Sequence, residues 1–201
     1  DLSQEFWGTI MISSVFNKEK RGYEGKTIAE ISKTLNVPPL EFVLDLLYEE
    51  DCKVSVIFFN MSEENLARIL KWDSVMIGSD SSLRSLEGVL NYGKPHPRGY
   101  GTFSRVIRKY VNETSILSIE EAIYKMTGFP AQTLGLKDRG ILKEGFFADI
   151  TIFDQETIAE QATFTSPHNY STGIKHVLVN GKLTINDGKH ESVTNGAILK
   201  K

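Results

Sequence analysis

Two short stretches of this sequence carry side chains suited to acid–base or hydrolytic chemistry. The first is Ile77-Gly78-Ser79-Asp80-Ser81-Ser82. Asp80 ends the apolar run 75–79 and opens a polar stretch, which predicts a carboxylate at the C-terminal end of a buried parallel strand. Active sites of α/β barrels lie on that face, because strand ends converge there and the loops supply variety. A carboxylate so placed can hold a metal or move a proton for metal-bound water, whose pKa a zinc ion lowers to about 7. Capping the next turn is the other role open to an aspartate after Gly-Ser, and on local features the commoner one. The second stretch is Pro95-His96-Pro97-Arg98-Gly99-Tyr100. Its prolines stiffen the loop, so His96 and Arg98 have little entropy left to lose, and the guanidinium fork of Arg98 matches a carboxylate at two points. A solvated loop with an incidental histidine has the same local pattern.

The remaining polar residues argue mostly for structure. In Gly145-Phe146-Phe147-Ala148-Asp149-Ile150 the glycine permits a turn into an apolar strand, and Asp149 suits a local cap or pair. Histidines 96, 168, 176 and 190 show no H-x-H or H-E-x-x-H spacing, so no complete zinc site is legible and this chain alone is expected to bind no metal. His176 is expected to point outward from a strand. The single cysteine, Cys52, excludes an internal disulfide and suits a reducing compartment, with the cytoplasm as the expected address.

The elements that must position these residues follow from periodicity. Residues 9–14 read as a strand; Thr27-x-x-Glu30 then opens a helix as a capping box. Pro38 and Pro39 start a second helix whose apolar face is expected at Leu40, Val43, Leu44 and Leu47. Residues 54–59 form a continuous apolar run typical of a strand buried on both sides, Ser62 caps a third helix with Leu66, Ile69 and Leu70 inward, and 75–79 is a third buried strand. Strands alternating with helices predict parallel crossovers, hence an α/β barrel or a doubly wound sheet. Three strands cannot close a barrel of eight, so more than half of it would lie outside this chain. Residues 81–101 read as a long loop, and loops of that length are usually functional or disordered. Helices are expected at 102–110 and from Ser118-x-x-Glu121 to Gly128, with Pro130 just beyond. The last third turns to β structure, with strands at 147–153, 174–179 and 182–185 and an Asn180-Gly181 hairpin turn. The expected division is 1–139, the last strands and helices of a (β/α)8 TIM barrel, and 140–201, a small β-rich domain.

Bulk properties narrow the partners. The 201 residues are 40% hydrophobic, enough to bury a real core. A net charge of -3, with Lys and Arg spread along the chain, argues against nucleic acid or an acidic membrane as partner and for a small molecule or a protein. No apolar run approaches the roughly 20 residues needed to cross a bilayer. The opening Asp1-Leu2-Ser3, followed within ten residues by an apolar stretch, reads as an entry into the middle of a domain.

Three segments taken together resemble one family. Met76-Ile77-Gly78-Ser79-Asp80, His96-Pro97-Arg98-Gly99-Tyr100-Gly101-Thr102-Phe103 and Ser118-Ile119-Glu120-Glu121-Ala122-Ile123-Tyr124-Lys125-Met126-Thr127-Gly128-Phe129-Pro130-Ala131 are similar to the N-acyl-D-amino-acid deacylases, or D-aminoacylases, of the amidohydrolase superfamily. The likeness runs from about Trp72 onward and more loosely before it. It implies an α/β barrel with a small β domain, and hydrolysis of an N-acyl-D-amino acid by zinc-activated water. Asp80 then matches the aspartate after the final barrel strand, at or near the metal, acting as general base and then acid. Arg98, His96 and Ser81 become candidate substrate-binding residues, with Arg98 gripping the α-carboxylate. The histidine pair and the metal-binding cysteine of the family are absent, and Cys52 does not sit in the required context. The resemblance therefore implies zinc in a complete enzyme but an inactive 201-residue piece, which self-associates or pairs with an N-terminal part. A dihydroorotase-like cyclic amidase and a non-catalytic assembly module are the competing expectations.

Overall fold

The structure is a computed structural model that describes residues 3–199. Its contacts gather into two compact units, each assembled from separate stretches of chain. One comprises Asp1–Ser62, Ser81–Tyr100 and Ala162–Asn169; the other comprises Glu63–Asp80, Gly101–Gln161 and Tyr170–Lys201. This division by contacts differs in kind from a sequence boundary near residue 140.

The first unit runs α1 (Gln4–Gly8), β1 (Ile10–Ser14), a 3-10 turn (Lys18–Tyr23), α2 (Ile28–Leu35), α3 (Pro39–Glu49) and β2 (Ser55–Phe58). The expected capping box forms: Thr27 Oγ1 accepts from Glu30 N at 3.2 Å, and the Glu30 carboxylate accepts from Thr27 N at 2.8 Å. Asn36, left-handed at φ 55°, ends the helix by letting the chain turn where most L-residues are strained. Trp7, Ile10, Ile12, Val15, Ile28, Ile31, Phe42 and Leu46 form the core. The buried row of α3 is Phe42 and Leu46, whereas Leu40 and Leu44 of the expected face are exposed. α3 is apolar on both flanks of one acidic row, Glu41, Asp45 and Glu49, so periodicity alone does not choose its face; Phe42 decides it by meeting Tyr23 edge-on at 5.5 Å. Glu50, buried at the end of the same row, accepts from the backbone N–H groups of Phe16 and Asn17 and fixes the exit from β1.

Two strand expectations are corrected. β1 and β2 pair antiparallel, Ile10 opposite Phe58 and Met11 opposite Ile57, instead of lying parallel. A continuous apolar run carries no information about direction, and two helices intervene where a parallel crossover takes one. β2 also buries only Ile57, leaving Val56 and Phe58 exposed. Residues 75–79 form no strand, because no described neighbour offers them a ladder.

The second unit contains α4 (Glu63–Leu70), α5 (Arg98–Arg105) from Gly101 onward, running on into a π-helical stretch (Val106–Glu113), α6 (Ile119–Met126) and α7 (Gly128–Leu134). The capping box Ser118/Glu121 forms as expected. Pro130 falls in the first turn of α7, a new helix that starts where the preceding one was expected to end, since a proline lacks only an N–H that a first turn does not use. Leu70, Val106, Tyr110, Val111, Leu117 and Ala122 form a second core. An antiparallel meander follows: β3 (Ile150–Phe153), β4 (Ile174–Val179), β5 (Lys182–Asn186) and β6 (Lys189–His190). Asn180 and Gly181 both take positive φ, as a two-residue hairpin turn with the right twist requires. Asp149 accepts from Asn180 N at 2.8 Å and pairs with Arg139, so it is a structural pin for that hairpin.

Two carboxylates organise the cations of α5 and the π-helical stretch. Glu160 accepts from Arg108 Nε at 2.7 Å and from Arg105 Nη1 at 3.1 Å. Glu63 accepts from Lys109 Nζ and Arg105 Nη2 and from the Tyr110 hydroxyl at 2.9 Å. Burial works to raise the Glu160 pKa, but the Arg108 and Arg105 contacts outweigh it and hold the carboxyl below its usual value. The Lys109 contact does the same for Glu63, while burial and Glu63 push the Tyr110 phenol up to about 12. A carboxyl whose pKa is lower folded than unfolded stabilises the fold fully above the unfolded value, near 4.5, and loses that contribution as pH falls through the folded value. Resistance to urea is therefore expected to weaken as pH is lowered from 6 to 3. Glu160→Gln should flatten that dependence and cost, at pH 7, between the ~1 kcal/mol of an exposed pair and the ~3–5 kcal/mol of a fully buried one. An unchanged acid limb in this variant would remove Glu160 from the account.

Candidate active site

Asp80 closes a stretch held by α6 instead of by a sheet. Lys125, a buried residue of α6, donates its ammonium to Val75 O at 3.2 Å and to Trp72 O. Its own carbonyl accepts from Ile77 N at 3.0 Å. Ile77 packs on the core formed by Leu70, Tyr110 and Ala122. The two carbonyls lie just past the end of α4, where the helix dipole favours a cation, so the ammonium is tolerated although it is buried. Asp80 follows in a left-handed conformation, φ 47°, which Asp tolerates better than most residues, and it is exposed to solvent. The chain thus changes direction at the carboxylate itself.

Ser81, His96 and Arg98 belong to the long loop 81–100, and the structure brings these three into one neighbourhood. Arg98 N donates to His96 Nδ1 at 3.0 Å, so a neutral His96 ring carries its proton on Nε2. The His96 ring also meets Phe164 edge-on at 4.9 Å. A Cβ placed on Gly99 would lie 2.8 Å from Ser81 Oγ; glycine at 99 is what allows the start of the loop to lie against the first turn of α5. Ser81 Oγ itself donates to Ser82 O at 2.9 Å. The loop is stapled at both flanks of Gly93. Ser13 Oγ donates to Lys94 O at 2.9 Å, and Lys94 Nζ to Thr165 O at 2.7 Å. His168 bonds Gly93 O through Nε2 and the Tyr100 hydroxyl through Nδ1, each at 2.9 Å.

Among the described residues no three His, Cys, Asp or Glu side chains gather as ligands for a metal ion. Cys52 is exposed, and His176 Nδ1 accepts from Asp187 N in the turn between β5 and β6. Sequence reasoning missed Lys125, although it stands inside the 118–131 segment quoted for the family resemblance. Its signal would be a lysine on the inward row of an amphipathic helix, one turn after buried Ala122. Replacing it by methionine keeps the packing volume and leaves two carbonyls unmatched. Lys125→Met is expected to speed exchange of the Ile77 amide at least about ten-fold, measured by hydrogen–deuterium exchange, because local opening governs that rate. Unchanged protection would show that Lys125 does not hold this stretch.

The chain is similar to known hydrolases over most of its length. It is 43% identical over 130 residues to an N-acyl-D-glutamate deacylase of Alcaligenes xylosoxydans xylosoxydans, covering 65% of this chain and 25% of that protein. A crystal structure of D-aminoacylase superposes with a TM-score of 0.83 at 32% identity, over 98% of this chain and 38% of that one. An N-acyl-D-glutamate deacylase from Bordetella bronchiseptica, solved with zinc and a phosphonate mimic of the tetrahedral intermediate, gives 0.77 at 31% identity, over 96% and 39%. The chain thus spans about a quarter of the curated relative's length and under two fifths of each solved structure. No described helix is long and apolar enough to cross a membrane. The model of the amidohydrolase family matches residues 73–185, more than half of the sequence and including Asp80, His96 and Arg98, and the chain belongs to that family.

Proposed function

We propose that this chain is part of a zinc-dependent hydrolase that cleaves the N-acyl amide of N-acyl-D-amino acids, with Asp80 as its proton-handling carboxylate. The observation that carries the reading is that Asp80, His96 and Arg98 all fall inside the family-matched stretch of a chain 43% identical over 130 residues to an N-acyl-D-glutamate deacylase. In the reaction, water adds to the acyl carbon and the C–N bond breaks, releasing a carboxylate and a free D-amino acid. Asp80 takes the proton of the water and passes it to the departing amine, a service worth about 10²- to 10⁴-fold in rate. Arg98 faces the substrate α-carboxylate, with His96 and Ser81 lining the same loop. Zinc, where held in the complete protein, would supply the activated water. Among the described residues no three His, Cys, Asp or Glu side chains gather as its ligands, and on this reading Asp80 would be joined by ligands from the rest of the protein.

On this reading residues 75–79 are the last strand of a (β/α)8 barrel whose neighbours come from an N-terminal part of the protein, and 140–201 form a small β domain. Two features support association with such a part. The stretch 75–79 has no ladder among the described residues, and β2 leaves Val56 and Phe58 uncovered. In the complete protein, Asp80→Ala is expected to lower kcat/KM for N-acetyl-D-glutamate or N-acetyl-D-leucine by 10²-fold or more. Because the Asp80 backbone is left-handed, alanine there is expected to cost up to about 1–2 kcal/mol of unfolding stability while the protein stays folded. Wild-type turnover in that variant would end the assignment, and failure of the unaltered complete protein to prefer N-acetyl-D- over N-acetyl-L-amino acids would end the reading.

A further inference from the structure

We infer that His168 is a positioning residue for loop 81–100 and that it clasps the loop fully only when its ring carries two protons. The consequence for substrate rests on the deacylase reading; the clasp itself does not. Three groups distant in sequence meet in it. The Tyr100 hydroxyl stands 2.8 Å from Ser85 O and 2.9 Å from His168 Nδ1, and His168 Nε2 stands 2.9 Å from Gly93 O. The two rings also meet edge-on at 5.7 Å. Gly93 brings the loop close to β1, since a Cβ on it would come within 2.7 Å of Ser14 Cβ. Arg98 lies two residues before Tyr100 in the first turn of α5, and its N–H is tied to His96 Nδ1, so whatever fixes Tyr100 fixes the His96–Arg98 segment.

Counting protons decides the state of the clasp. Ser85 O and Gly93 O are carbonyl oxygens and only accept, so three contacts need three hydrogens. A neutral His168 and the Tyr100 hydroxyl hold two. With Nε2–H spent on Gly93 O, the phenol proton serves either Nδ1 or Ser85 O, and the other contact is left as two facing lone pairs. A second ring proton completes the set: Nε2–H donates to Gly93 O, Nδ1–H to the Tyr100 oxygen and the phenol to Ser85 O. Residues 162–169 carry no other ionisable side chain, and β1 carries none. Lys94 is the neighbouring like charge, with its ammonium committed to Thr165 O and its stem against Gly25, beside Glu24, whose carboxylate accepts from Val15 N. The loop adds one acid, Glu87, and the cations Arg84 and Arg98. A proton held by the clasp is lost as pH rises, so the loop tightens on acidification, opposite in sign to the Glu63 and Glu160 contributions.

The complete protein with nitrogen-15-labelled histidine tests the count directly, because two-bond proton–nitrogen correlations distinguish a ring with one N–H from a ring with two. His168 is expected to show two N–H groups at about pH 5 and Nε2–H alone at about pH 8. Amide exchange of residues 86–93, corrected for the intrinsic effect of pH, should quicken about five-fold over that interval, the worth of about one hydrogen bond. Tyr100→Phe keeps the ring and removes the oxygen, while His168→Gln can still donate to Gly93 O but takes no proton. In both, exchange should be quick at either pH, and the Phe variant suffices should the Gln variant not fold. A ring with one N–H at about pH 5, or an undiminished pH dependence of exchange in Tyr100→Phe, overturns the proposal. Acetate release from N-acetyl-D-leucine is followed on the metal-loaded protein, where KM is expected to rise with pH in wild type and not in Tyr100→Phe. Equal KM profiles would overturn the positioning role. Turnover without a titrating clasp removes this assignment alone, and a titrating clasp in a protein that releases no acetate removes the deacylase reading alone.

Discussion

A buried ammonium holds the stretch that ends in Asp80. Backbone polar groups taken out of water must be matched, and a strand normally meets that demand with its neighbours in a sheet. Residues 75–79 have no such neighbour among those described, so α6 supplies the partners. Lys125 answers Trp72 O and Val75 O with its side chain and Ile77 N with its carbonyl, while Ile77 is anchored in the second core. Helix and extended stretch are thereby tied at one residue, Lys125, which reaches Ile77 three positions before the Asp80 carboxylate.

A second layer of constraint surrounds the π-helical stretch. Helices of this type are rare and persist where other contacts outweigh their poorer packing. Here Glu63 and Glu160 collect Arg105, Arg108, Lys109 and Tyr110 on one network, and Gly101 gives Glu160 the room it needs, since a Cβ there would come within 2.6 Å of Glu160 Cβ. The cations of this helix are therefore committed to structure. The guanidinium groups of loop 81–100 are a separate set, and two buried nitrogens of Arg84 have no acceptor among the described residues.

The loop itself shows how a long irregular segment is made definite. Its long-range hydrogen bonds run from the Lys94 and Gly93 carbonyls to Ser13 and His168 and from the Lys94 ammonium to Thr165 O, and Gly99 removes the one side chain that would keep Ser81 and Arg84 from the start of α5. His96 and Arg98 are then joined by a local hydrogen bond from Arg98 N to His96 Nδ1, which the intervening proline favours.

Local chemistry was legible in the sequence wherever a few neighbouring residues decide the outcome. Both capping boxes, the Asn180-Gly181 hairpin, the helix opened by Pro39 and the polar loop with its Pro-His-Pro-Arg segment follow from side chains within four positions of one another. Family membership was legible for the same reason, since its motifs are short and contiguous. Direction and partnership were not. An apolar run such as Ser55–Phe58 looks the same parallel or antiparallel, and α3, apolar on both flanks of its acidic row, does not announce that Phe42 and Leu46 turn inward. Lys125 reads as a surface lysine until α6 is laid against residues 72–77, and Arg84 as an ordinary loop cation until Tyr92 and Gly99 close around it. Those roles depend on groups far apart in the chain, which only the folded arrangement brings within hydrogen-bonding or van der Waals distance.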